Sequence, residues 1–126
     1  MNKITAVLKN IISVDNLNLL EFEKNGQLIK VLILQMNLDL KVGDEVYLGI
    51  KPTKLFLSKN KCNFENVLEV EIKNFEKGEI LTNVLCDFYG EKLEIIMLKD
   101  YIDFEKKAYL FFKASDISIL GKVNES

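Results

Sequence analysis

The chain runs to 126 residues, with 19 acidic and 17 basic side chains and a net charge of −2. Every basic residue is lysine. The absence of arginine and histidine excludes bidentate guanidinium recognition of phosphates or bases, and with it histidine-based catalysis and histidine metal ligation.

The acidic balance leaves no global positive field to attract nucleic acid or an anionic membrane. A hydrophobic fraction of 48% beside 29% charged residues fits a folded globular protein. The length suits one ordinary domain or two very small ones, and a half of ~60 residues would be marginal alone. Met1–Thr5 lacks a signal-peptide core, and no apolar run approaches the ~20 residues needed to span a bilayer, so a cytoplasmic location is expected. Cys62 and Cys86 are too far apart for a C-x-x-C motif. Cys86 reads as an inert core thiol in an alternating strand, and Cys62 as a linker residue.

Almost every periodic segment reads as a strand. Residues 3–14 are rich in isoleucine and valine, and 17–23 alternate. Asn25-Gly26 then marks a type I′ hairpin, since both residues tolerate positive φ. The β-branched run 28–34 reads as a buried strand. Residues 35–41 form a connector with room for one helical turn, and Val42-Gly43-Asp44 is a turn into a fourth strand at 45–51. Pro52, the only proline, breaks the ladder before a fifth strand at 54–58. Polar, unpatterned residues 61–65 read as a linker. Strands then follow at 67–75, 79–88, 92–98, 107–113 and 115–120, with Tyr89-Gly90-Glu91 at the second hairpin and a tail at 124–126.

The second series restates the first. Asn10 and Asn74, like Gly26 and Gly90, are 64 residues apart, whereas Lys51 and Lys113 are 62 apart. The second copy is therefore shorter by two between its middle and last strands. A repeat this long is a duplicated small domain rather than a solenoid unit. Five short antiparallel strands per copy predict an all-β protein of two tandem OB-type, five-stranded Greek-key barrels, one over residues 1–60 and one over 66–123.

Lys51 and Lys113 are the sharpest candidates for chemistry. Each ends an apolar strand, and each is followed at the second position by a hydroxyl, Thr53 or Ser115. An ammonium beside a hydroxyl and turn N–H groups can hold a small oxyanion. A lysine at a strand edge also discourages aggregation, and that reading stands beside the first. Glu69, Glu71, Glu76, Glu91 and Glu94 fall on polar strand faces, where solvation accounts for them. Asp100, Asp103 and Glu105 lack the glycine and terminal glutamate of a calcium loop. Most of Phe22, Phe56, Phe75, Phe88, Tyr109, Phe111 and Phe112 read as core rather than a base-stacking platform.

The run from a leading Asn through a glycine hairpin and Val42-Gly43-Asp44-Glu45-Val46 to Ile50-Lys51-Pro52-Thr53 or Phe112-Lys113-Ala114-Ser115 resembles the Mop/TOBE domain family. Tandem copies are similar to the di-Mop molbindins, cytoplasmic proteins that store or buffer molybdate and tungstate. The resemblance implies a non-enzymatic protein that binds molybdate or tungstate between Mop units, with no organic cofactor and no cation ligands. By position it implies Lys51, Thr53, Lys113 and Ser115 as anion ligands, joined by Asn2, Lys3 and Asn66 at the starts of the copies. The connectors Gln35-Met36-Asn37 and Lys99-Asp100-Tyr101 fall where the family often has hydroxyl ligands, so Asn37 joins the set. It further implies a homo-oligomer, trimer or dimer, and transporter components as partners, with no nucleic acid and no membrane. The family's arginine is absent. A TOBE unit that docks on transport machinery without binding an anion is the alternative, and single-strand nucleic-acid binding is a third.

Overall fold

The computed structural model describes residues 1–36, 38–99 and 105–124. Ten strands follow in order: β1 (Asn2–Val14), β2 (Leu17–Lys24), β3 (Gln27–Ile33), β4 (Glu45–Ile50), β5 (Phe56–Ser58), β6 (Asn66–Lys77), β7 (Leu81–Phe88), β8 (Glu91–Leu98), β9 (Lys107–Phe112) and β10 (Ile117–Lys122). The alternation seen in the sequence is the burial pattern of these strands. In β7, for instance, Thr82, Val84, Cys86 and Phe88 point inward while Leu81, Asn83, Leu85 and Asp87 face outward. Both hairpins turn as their residues require, with φ of 49° and 83° at Asn25-Gly26 and 48° and 88° at Tyr89-Gly90.

Two antiparallel five-stranded sheets result, ordered β10-β4-β1-β2-β3 and β5-β9-β6-β7-β8. Three strands meander and the fourth returns beside the first, which is Greek-key order. The ends of each sheet approach one another, β10 near β3 and β5 near β8, curling each into an OB-type barrel. Even the irregularities repeat. Each long first strand carries a bulge at a lysine, Lys9 in β1 and Lys73 in β6, where the register against the hairpin partner slips by one residue.

The fifth strands are exchanged. β5 comes from the first half but pairs with β9, Phe56 opposite Phe111, whereas β10 comes from the second half and pairs with β4, Ile117 opposite Ile50. The chain thus crosses between sheets at two places, 51–55 and 113–116. Leu55 is carried into the second half's core and Ile117 into the first's, and the buried side chains of both halves form one continuous cluster. Phe22, Phe88 and Phe112 are its largest fully buried members.

Helical structure departs from expectation. The described residues of the 35–41 connector contain no helical turn; Met36 and Leu38 instead pack on the core. A 3₁₀ turn forms at Pro52–Lys54, where proline's fixed φ suits the first helical position. Phe56 also departs from the core reading and is 57% exposed, because the short exchanged strand turns it outward.

Candidate functional site

The two crossings are built alike. In the first, the Lys54 N–H donates to the Lys51 carbonyl at 3.0 Å; in the second, the Asp116 N–H donates to the Lys113 carbonyl at 3.1 Å. Both tight turns leave the lysine and the hydroxyl residue, Lys51 with Thr53 and Lys113 with Ser115, exposed. Neither lysine ammonium makes an ion pair among the described residues. Each turn therefore presents a cation and a hydroxyl to solvent where the chain passes from one barrel to the other.

The starts of the copies lie beside these turns, since Asn2 is paired with Ile50 and Asn66 with Phe112. Their side chains are occupied elsewhere. The Asn66 amide donates to the Lys30 carbonyl at 2.9 Å and accepts from the Lys30 N–H at 2.7 Å. Asn2 does the same to Glu94, at 2.8 Å in each direction. Both amides are buried and replace a strand partner for the outermost strands β3 and β8, stitching each half to the other. Lys3 is exposed, with its ammonium 5.9 Å from the centre of the Tyr47 ring. Asn37, like Asp100, Tyr101 and Asp103, lies outside the described residues.

A second pair of stitches obeys the same pseudo-symmetry. The Glu91 carboxylate accepts from the Thr5 N–H at 2.9 Å and from Lys24 at 3.1 Å, while the Gln27 side chain accepts from the Glu69 N–H at 3.0 Å. Sequence reading placed Glu91 in solvent, yet it is the half-buried centre of a cross-half network.

The turns differ most in their N–H groups. Ala114 is buried, and its carbonyl accepts from the Leu32 N–H of β3 at 2.9 Å, so the second turn is pinned to the first half. Its N–H donates to the Glu65 carboxylate at 2.8 Å. Glu65 was not among the sequence candidates. It sits in the unpatterned linker, and its one signal is that it immediately precedes Asn66. In the first turn the corresponding residue is Pro52, which has no N–H to offer.

A cleft of about 540 Å³ lies between β5 and β8 and borders Thr53. Leu55, Phe56, Leu57, Ile96, Met97 and Leu98 dominate its lining, where an oxyanion needs donors. Burial pushes the Cys86 thiol up to about 12, consistent with an inert core residue. No group of three acidic or cysteine side chains among the described residues is arranged to hold a metal ion.

A solved structure of the cytoplasmic molybdate-binding protein ModG, in a crystal form with molybdate bound, superposes with a TM-score of 0.83 over 94% of this chain and 94% of that one. The fold is shared with ModG. Sequence identity is 16%, so the likeness concerns architecture, and the chemistry must be argued from the turns. No protein-family model matches the chain, and no curated protein sequence does. No helix among the described residues is long and apolar enough to cross a membrane.

Proposed function

We propose that this protein binds a tetrahedral oxyanion of the molybdate or tungstate type in the cytoplasm, for storage, buffering or sensing, and performs no catalysis. The observation that carries the reading is the duplicated crossing turn, an exposed lysine with a hydroxyl two residues on, in a fold shared with a molybdate-binding protein. A dianion seated at such a turn gains one or two charge-assisted hydrogen bonds, each worth on the order of 1.5–3 kcal/mol. Lys51 and Thr53 form the stronger ligand pair, because Lys54 ends that turn and adds a second positive charge. Lys113 and Ser115 share theirs with Asp116. Lys3, in β1 opposite Gly49 of β4, supplies long-range attraction. Assembly into a dimer or trimer would supply the remaining donors from neighbouring copies.

Isothermal titration with molybdate, tungstate and sulfate tests this. Heat with the first two, weakened about tenfold to a hundredfold by Lys51→Ala, is the expected result. Absence of heat with any anion at low ionic strength sinks it. The contact between Glu65 and Ala114 favours a second reading, in which the turns are structural and the protein is an interaction module of a molybdate-transport system. The same titration separates the two.

A further inference from the structure

We propose that Glu65 is a tethered anion that occupies the donor of the second turn, so that the two halves bind oxyanion with unequal affinity and the second fills only when Glu65 is displaced. The inference rests on the oxyanion reading above. Its starting point is geometric: a carboxylate oxygen stands 2.8 Å from the nitrogen of Ala114, whose chain neighbours Lys113 and Ser115 are both exposed. That is where a tetrahedral oxyanion using Lys113, Ser115 and a turn N–H would place one of its own oxygens.

The first half offers an internal control. Pro52 stands in the place of Ala114 and has no N–H, and Met1 stands in the place of Glu65. Where the donor is missing, so is the acid. Charge follows the same division. The turn Lys51-Pro52-Thr53-Lys54 carries two positive charges, whereas Lys113-Ala114-Ser115-Asp116 with Glu65 carries one positive and two negative. A carboxylate fixed one residue before β6 acts at a high effective concentration and needs no diffusion to return, so a free anion competes at a disadvantage.

The test compares titrations of wild type, Glu65→Ala and Glu65→Gln with molybdate and tungstate, while following the Ala114 amide resonance. In the Glu65→Ala protein the second site should tighten about tenfold or more, and the Ala114 resonance should move at correspondingly lower anion concentration. Glu65→Gln, which keeps an acceptor oxygen and removes the charge, should gain less. Lys113→Ala added to Glu65→Ala should erase the gain. A wild-type isotherm unchanged by Glu65→Ala, or a gain that survives Lys113→Ala, overturns this proposal and leaves the oxyanion reading standing. If neither wild type nor Glu65→Ala binds either anion, the oxyanion reading falls, and the proposal falls with it. Glu65 is exposed and Gln is nearly isosteric, so thermal melts of both variants should match wild type within a few degrees.

Discussion

The turns at 51–54 and 113–116 have the same backbone hydrogen bond, at 3.0 and 3.1 Å, and the same place in the chain path, yet opposite chemistry around it. One is cationic and lacks an N–H at its second residue. The other carries, with Glu65, one positive and two negative charges, has that N–H, and has already given it to Glu65. Backbone geometry is retained because each turn must redirect a strand into the other barrel. Side chains facing solvent are under no such constraint, and there the copies have diverged. Equivalence of fold between two halves is thus poor evidence for equivalence of function.

Cutting the chain between the halves should have the largest effect. Residues 1–60 alone would lack β10, the neighbour of β4, and would have β5 with no sheet to join. That fragment should be unfolded or should self-associate by exchanging β5, and mixing it with residues 61–126 should restore a 1:1 complex. Light scattering and circular dichroism read both; a folded monomer of 1–60 would refute the interlocked description.

Smaller, and a test of symmetry, are the paired stitches. Asn66→Ala and Asn2→Ala each strand a backbone N–H and carbonyl, of Lys30 or Glu94, and each should cost about 1–3 kcal/mol in urea unfolding. Equal costs would show that the two halves use the device equally. A negligible cost for either would mean that water satisfies those groups instead.

Pro52→Ala gives the first turn an N–H with no acid to cap it. Anion affinity there should rise about twofold to tenfold, the net worth of a neutral hydrogen bond. Unchanged affinity would indicate that the N–H is not aimed at the ligand.

The least effect is expected from the rims of the barrels. Asp44 is held below the usual carboxylate range by the Lys41 N–H above all, with Lys122 adding attraction at 3.5 Å. In the second half Lys106 occupies the equivalent place and faces Glu71 at 3.7 Å. A depressed folded pKa means that Asp44 contributes stability above its unfolded value, near 3.8, and loses it as pH falls through the lower folded value. Asp44→Asn should therefore narrow the stability difference between neutral and acid pH slightly, as read from urea midpoints at pH 7 and pH 3.

Much of the architecture could be read from residues. The Asn25-Gly26 and Tyr89-Gly90 turns, the alternating strands and the lysine at each fourth-strand end all lie where their local chemistry puts them. Exchange of β5 and β10 could not be read, because a short strand has the same alternation whichever sheet receives it. The type of Asn2 and Asn66 suggested a ligand, but an amide serves a backbone pair equally well, and only burial decides between them. Glu65 carries no periodicity at all, and its role depends on a turn 49 residues away. A helical turn forms at Pro52–Lys54, whereas the described residues of the 35–41 connector hold none and pack Met36 and Leu38 on the core.

The chain changes sheets where the lysines are, and this ties ligand chemistry to mechanical integrity. A segment shared by two barrels cannot loosen in one without loosening the other. An anion held at either crossing, at one hundred times its dissociation constant, would add about 2.7 kcal/mol to the whole assembly rather than to one barrel. Saturation should then raise a single melting transition, with both halves rising together.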